Sequence, residues 1–219
     1  MAGIFYFTRT VFGSFDGYFC CINECSIIME TRYSTLEEIY DAILPLTRLN
    51  KRVLREHAYA LLELYLSFMQ VVKRMTREYA VKYGFDKQLK EVHVSFRGRH
   101  QLGFYNRYHS LYLGTCNYTI GVININPAMI LMIPDRTKET MLHELCHFEV
   151  HGHSKRFYLL LDELMRREQL SRSNMPHPPL LTGHRSEVFM WMIKKVYDCY
   201  KKKKQQEARA AARLAKVVK

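Results

Sequence analysis

The sequence predicts an α+β domain with a small antiparallel or mixed sheet. Helical hydrophobic patterns occupy the first and last parts of the chain, and short alternating segments lie between them. The connections between these segments are too short for repeated helical crossovers, which favours α+β over a repeated β-α-β architecture. We predict three parts: an N-terminal extension (1–33), a main domain (34–183) and a C-terminal helix with a basic tail (184–219).

Composition and charge narrow the class of protein. Hydrophobic residues make up 48% of the 219 residues and charged residues 25%, which excludes wholesale disorder. The net charge of +12 is compatible with an acidic partner, whether nucleic acid, an anionic membrane or an acidic protein. No apolar run reaches the ~18–20 residues of a membrane span. The six cysteines form no CxxC pair, which argues against a zinc ribbon. Their spacing is not that of a small disulfide scaffold, which predicts reduced thiols and a cytoplasmic location.

Two helices are predicted before the strands. Ser34 and Glu37 fit a capping box, which would begin a short helix that stops before Pro45. From about residue 50 to 83, apolar side chains recur at three- and four-residue steps. This periodicity predicts one long helix, which Gly84 would end.

Three strands are predicted in the middle of the chain, over residues 91–97, 107–113 and 119–126. Apolar and polar residues alternate in the first and third, as expected for half-buried strands. In the third strand we expect Asn124 and Asn126 to face water. This strand is also our candidate for a sheet edge to which an extended peptide could add.

Three more helices are predicted after the strands. Asp135 is a suitable N-cap for a helix over residues 136–150, which Gly152 would end. Ser154 would begin the next helix. After a loop with three prolines, a last helix would begin near His184 and run into the basic tail.

The first of these helices carries the strongest chemical signal, an HExxH motif formed by His143, Glu144 and His147. Residues four positions apart lie one turn apart on the same helix face, so the two imidazoles can bind one metal ion. Glu144 lies about 100° around the helix and can reach a metal-bound water. Zinc lowers the pKa of such a water to about 7, and a carboxylate can take its proton as the water attacks a carbonyl. The motif therefore predicts a hydrolytic Zn²⁺ site.

A catalytic zinc needs a third protein ligand and one open position. We favour His153, because a turn with positive φ at Gly152 would bring it back to the metal. His151 is the competitor, although a third ligand farther along the same helix axis suits tetrahedral geometry poorly. A carboxylate from Asp162 or Glu163 on the next helix is a further alternative.

Other chemically reactive side chains have less specific explanations. We interpret Cys116 and Cys146 as small packing residues rather than as a nucleophile or a metal ligand. Tyr158, His109 and His184 are available to stabilise the oxyanion of a tetrahedral intermediate. Nothing in the sequence chooses among these three.

Four short elements resemble the YgjP-like metallopeptidase domain and the related SprT-like zinc metalloproteases. Residues 113–116 resemble the family's Trp-Gly-Ser-Cys element, and residues 123–126 resemble its Ile-x-Leu-Asn strand. Residues 143–147 match its HELxH helix, and residues 152–158 resemble its Asn-His-Ser-x-x-Phe-Trp element. The gap of five residues between the second and third histidines suits the YgjP-like branch better.

The resemblance implies a specific site and fold. It implies zinc bound by His143, His147 and His153, with Glu144 as the general base. It also implies that residues 34–183 form a zincin-like metallopeptidase domain, whose small sheet packs on the long N-terminal helix and on the HExxH helix. The chain would then be a hydrolase, a metalloprotease that acts on a peptide or protein substrate.

The C-terminal tail suggests an alternative function. Residues 194–219 contain ten Lys or Arg and two Asp or Glu, and residues 201–204 are an unbroken run of lysines. Such a run can track phosphates, so nucleic acid is a candidate partner. The alternative to a metallopeptidase is therefore a nucleic-acid-associated binding protein with a structural or vestigial metal site. The sequence does not predict the oligomeric state.

Overall fold

A computed structural model describes residues 32–95, 113–170 and 179–217 of the chain. The N-terminal extension predicted for residues 1–33 lies almost entirely outside the described residues. The same holds for the strand predicted over residues 107–113.

The described residues form helices and a small sheet, which confirms the α+β prediction. The helices are α1 (Leu36–Ile43), α2 (Lys51–Glu56), α3 (Ala58–Tyr83), α4 (Pro134–Cys146), α5 (Lys155–Arg167) and α6 (Gly183–Val217). The strands are β1 (Glu91–Val94), β2 (Gly114–Asn117) and β3 (Val122–Ile125). Two short 3₁₀ helices are also present, Leu46–Arg48 and Pro127–Leu131.

The chain divides into two compact units. Among the described residues, 32–195 belong to one unit and 196–217 belong to the other. The sheet and α1–α5 lie in the first unit. Within the described part of the chain, no helix is both long and apolar enough to cross a bilayer.

The sheet is mixed, with strand order β1-β3-β2. β1 pairs with β3 in parallel, and β2 pairs with β3 in antiparallel orientation. β3 is paired with β1 on one side and with β2 on the other, so our expectation that residues 119–126 form a sheet edge is wrong. Among the described strands, β2 is the edge strand that contacts α4.

Asn124 and Asn126 are buried, so the expectation that they face water is also wrong. Ser95 Oγ donates a hydrogen bond to Asn124 Oδ1 at 2.8 Å. Asn126 Oδ1 accepts from the backbone N–H of Ala128 at 2.9 Å and caps the 3₁₀ helix that follows. Both amide oxygens therefore have hydrogen-bond partners inside the protein, as buried polar groups require.

The predicted capping box of α1 is displaced by one residue. Thr35 is the N-cap, and its Oγ1 accepts from the N–H of Glu38 at 3.2 Å. The Glu38 carboxylate accepts from the N–H of Thr35 in return, at 3.2 Å. Ser34 and Glu37 each lie one position too early for these roles. As predicted, the helix ends before Pro45.

The long helix predicted from about residue 50 to 83 is interrupted. His57 leaves helical geometry, with φ −98° and ψ 22°, and separates α2 from α3. The buried Leu54 and Leu61 lie seven residues apart across this break, so the hydrophobic period continues through it. Gly84 ends α3 in the left-handed region with φ 78°, as predicted.

The helices hold α4 against the sheet. α3 contacts β1 and α4, and α4 contacts β2 and β3. One side of α4 is fixed in the core by Leu142, Leu145 and Cys146, none of which is exposed to solvent. The position of its other side, which carries His143, is therefore set by the core.

Candidate metal centre

The three predicted histidine ligands lie together. His143 and His147 lie one turn apart at the end of α4, and His153 lies two residues before α5. One ligand nitrogen from each ring lies within 4.8 Å of the others. His143 Nε2 and His153 Nε2 are 3.0 Å apart. The described residues therefore bring three imidazoles from two chain segments into one cluster.

The turn that returns His153 differs from the predicted one. α4 ends at Cys146, several residues before the predicted end at 150. Turn hydrogen bonds follow, including Val150 N–H to Cys146 O at 2.9 Å. Gly152 is not in the left-handed region, so our argument that it turns through positive φ is wrong. Ser154 begins α5 as predicted, its Oγ accepting from Phe157 N–H at 3.4 Å.

A backbone contact orients His147. Its Nδ1 lies 3.2 Å from the carbonyl oxygen of Val150, which can only accept, so Nδ1–H is the donor. In the neutral ring, Nε2 then carries the lone pair that a metal requires. Burial lowers the pKa of His147 and outweighs the hydrogen bond to Val150, which raises it; the neighbouring His153 and His151 lower it further. These effects favour the neutral, ligating form of the ring.

Phe157 packs against all three imidazoles. Its ring centroid lies 4.8 Å from those of His143 and His153 and 4.7 Å from that of His147. The Phe157 side chain is fully buried. Its ring therefore covers one side of the triangle formed by the three histidines.

The competing ligands lie elsewhere. His151 is stacked on Tyr118, with ring centroids 3.7 Å apart and an interplanar angle of 5°. Glu163 forms ion pairs with Arg166 and Arg167, each at 2.8 Å. Neither residue belongs to the cluster of three histidines, and neither does Asp162, which was the other carboxylate alternative.

Glu144 is buried beside this cluster, with 4% of the residue exposed. Burial raises the pKa of its carboxyl to about 8. The backbone of Gly114, in β2, passes directly over the side chain: a Cβ atom at Gly114 would lie 2.7 Å from Glu144 Oε1. The strand therefore confines the carboxyl group on one side.

Glu144 opens into a cavity of about 370 Å³. His143, His153 and Tyr158 also line this cavity. Of the three residues considered for the oxyanion, Tyr158 is thus at the site. His184 lines a different cavity, and His109 lies outside the described residues.

Sequence reasoning missed three further residues of the cavity wall, Arg136, Glu139 and Thr140. All three lie on α4, at positions seven, four and three residues before His143. These spacings place them on the same helix face as His143. The helical period would have identified them once the motif helix was recognised.

The cysteines near the site are not activated. Burial and the nearby Glu144 raise the pKa of the Cys116 thiol to about 12. Burial, with Glu149 and Glu144, also raises that of Cys146 to about 12. The thiolate is the nucleophilic form, so neither side chain is suited to nucleophilic catalysis near neutral pH.

Comparisons with known proteins support the family resemblance. A search of curated proteins and a search of solved structures each gave no match. A scan of family models gave a match over residues 107–176, to the family described as YgjP-like, metallopeptidase domain. This stretch contains the three histidines, Glu144 and Gly114. The resemblance predicted from the sequence is therefore confirmed, and residues 107–176 match the YgjP-like metallopeptidase domain.

Proposed function

We propose that this chain is a zinc-dependent metallopeptidase with a zincin-like fold, which hydrolyses peptide bonds in cytoplasmic peptide or protein substrates. The observation that carries the proposal is the cluster of His143, His147 and His153, with ligand nitrogens within 4.8 Å of one another. The Glu144 carboxyl and two of these histidines line one cavity. The family match is to a metallopeptidase domain.

The donor set fits zinc. Zinc–nitrogen bonds of about 2.0–2.1 Å in tetrahedral geometry place ligand nitrogens roughly 3.3 Å apart. The separation of 3.0 Å between His143 and His153, and the limit of 4.8 Å for the whole cluster, lie close to this requirement. Three protein ligands leave one tetrahedral position open, as in catalytic rather than structural sites.

The chemistry divides between the ion and Glu144. When bound, zinc supplies a Lewis acid that acidifies a water molecule and polarises the substrate carbonyl. Glu144 accepts the proton of the attacking water at its carboxylate and donates it to the leaving amine. The raised pKa of Glu144 suits a group that must both take and release a proton near neutral pH. A cation beside it favours the carboxylate form, which is the form needed for the first transfer.

The test replaces the proposed base without removing a ligand. In Glu144→Gln we expect about one zinc per chain by elemental analysis, with cleavage of a fluorogenic peptide library reduced at least ~100-fold. Glu149→Gln is the matched control, because Glu149 is exposed and paired with Arg156. Undiminished turnover in Glu144→Gln would exclude Glu144 as the base, and a wild-type chain that binds no zinc would overturn the proposal.

The alternative function is nucleic-acid binding with a structural or vestigial metal site. It is supported by the end of α6, where the side chains of residues 204–215 are all exposed next to the lysine run 201–204. Binding through this segment would weaken with increasing salt and would be lost on deletion of residues 201–219. Zinc binding without turnover, together with such salt-dependent binding, would favour this alternative.

A further inference from the structure

The wall of the active-site cavity carries a charged side chain that the proposed reaction does not use. Arg136 lies seven residues before His143 on α4, which at 1.5 Å per residue is about 10 Å along the helix axis. Both residues line the same cavity. A substrate group bound at Arg136 would therefore lie in the same cavity as the bond that is cleaved, but away from that bond in the direction of the α4 axis.

An ion pair holds the guanidinium of Arg136 in place, and some of its N–H donors remain available for a ligand. Its Nη1 forms an ion pair with Glu139 Oε2, and Glu139 is buried. The Arg136 side chain is 35% exposed. A guanidinium has five N–H donors. Within the described part of the chain, only the one bonded to Glu139 has an acceptor.

The nearby basic residues serve other contacts. Lys138, also on α4, binds Glu37 at 2.8 Å and Asp135 at 3.3 Å. Arg156 binds Glu149 at 2.8 Å and does not line the cavity. Arg136 is therefore the one arginine or lysine among the described lining residues of this cavity.

We propose that Arg136 is a substrate-binding residue that takes a carboxylate of the peptide, with Glu139 fixing the orientation of its guanidinium. This inference rests on the proposed function. Arginine favours carboxylates because its planar fork can donate two parallel hydrogen bonds. A divalent cation in the histidine cluster, together with the charges of Arg136, Glu139 and Glu144, would give the described lining a net charge of +1. This positive charge attracts an anionic group.

The distance restricts where the carboxylate lies in the substrate. An extended peptide rises about 3.3 Å per residue, so the axial spacing of about 10 Å between the backbone positions of Arg136 and His143 corresponds to roughly three residues. The carboxylate can belong to an Asp or Glu side chain, or to the C-terminus of the peptide. Both sources have the same chemistry and are distinguished by experiment.

The experiment uses internally quenched peptides that share one cleaved bond. One series replaces Gln by Glu at each position within four residues of that bond, and a second pair carries a free or an amidated C-terminus. For wild type we expect one carboxylate, about three residues away, to raise kcat/KM about tenfold or more. In Arg136→Gln, the ratio of kcat/KM for the acidic peptide to kcat/KM for its neutral counterpart should fall toward one. The matched control, Arg156→Gln, should keep the wild-type ratio.

Two additions keep the result interpretable. Arg136→Lys keeps the charge without the planar fork, and Arg136→Gln/Glu139→Gln removes both members of the ion pair together. Binding of the same peptides to the Glu144→Gln chain, measured by fluorescence anisotropy with and without Arg136→Gln, reports the subsite without turnover. No preference for a carboxylate, or one that survives Arg136→Gln, would overturn the inference. Failure to cleave any peptide would instead count against the proposed function, and the binding measurement would still decide the role of Arg136.

Discussion

Gly114 and Gly152 both adjoin the candidate site, but only one of them leaves no room for a side chain. A Cβ at Gly114 would lie 2.7 Å from Oε1 and 2.8 Å from Cγ of Glu144. A Cβ at Gly152 would meet no atom within 4 Å. The two glycines therefore allow a matched comparison of a residue that confines the proposed base and one that does not.

We predict that Gly114→Ala displaces the Glu144 carboxyl and lowers kcat about 10- to 100-fold, because small misplacements of reacting groups are costly. Zinc content should stay near one per chain, since the three atoms nearest to the added Cβ all belong to Glu144 and none belongs to a histidine. Gly152→Ala should keep both activity and zinc. Peptide-cleavage kinetics and elemental analysis measure these outcomes, and equal activity of the two variants would contradict the prediction.

The buried Glu144 also predicts a pH dependence of stability in the metal-free protein. Its pKa is about 8 when folded and has its ordinary value of 4.5 when unfolded. Between these values the folded state binds the extra proton, so the free energy of unfolding falls as pH rises. The slope is about −1.4 kcal/mol per pH unit, and the decrease is complete above the folded pKa.

Urea unfolding of the wild-type chain and of Glu144→Gln at pH 5, 6, 7 and 8 measures this contribution. The difference between the two free energies isolates Glu144, because the other titrating groups are common to both chains. We expect the free energy of unfolding of the wild type, minus that of Glu144→Gln, to fall steadily over this range. A difference that does not change with pH would show that the pKa of Glu144 is not raised.

Residue types and spacings predicted which candidate ligands lie together better than they predicted the backbone around them. The four-residue step from His143 to His147 is a property of any α-helix, so it could be used directly. The return of His153 was predicted through positive φ at Gly152, but the chain turns there without it. The choice between His153 and His151 depends on a tertiary contact, the stack of His151 on Tyr118, which no local pattern encodes.

At the scale of elements, the errors in the predicted helices and strands have one physical origin. The periodic spacing of hydrophobic residues indicates which side chains are buried, but not how the backbone is hydrogen-bonded. The period continues across His57, so the break between α2 and α3 was not apparent. β2 has the sequence Gly-Thr-Cys-Asn and no fully buried side chain, so it lacks the apolar alternation used to recognise strands. Its place in the sheet comes from pairing with β3, a tertiary interaction.

The order of strands in the sheet was likewise not accessible from local patterns. The alternation in residues 119–126 indicated a strand but not which strands flank it. β3 became the central strand because β1 joins it in parallel after a long connection and β2 joins it on the other side. Among the described strands, the candidate edge for an extended peptide therefore moves to β2, the strand that carries Gly114.

At the scale of the whole molecule, the metal would connect segments that the fold brings together separately. His143 and His147 belong to the end of α4, whereas His153 belongs to the turn before α5. Unfolding would separate these ligands, so a metal that binds only the folded chain stabilises it by mass action. At a free zinc concentration 1,000 times the dissociation constant, the gain is about 4 kcal/mol.

We therefore predict that removing zinc with a chelator lowers the Tm by about 10 °C, given the usual shift of 2–4 °C per kcal/mol for chains of this size. Restoring zinc should recover the Tm, which differential scanning calorimetry measures. His153→Ala should lose most of this response, because it removes one of the three proposed ligands, whereas His151→Ala should retain it, because that ring lies outside the cluster. If the response were lost in His151→Ala and kept in His153→Ala, the third ligand would be His151 and not His153. A wild-type Tm that is indifferent to chelator and zinc would show that the three imidazoles do not bind the ion in the folded chain.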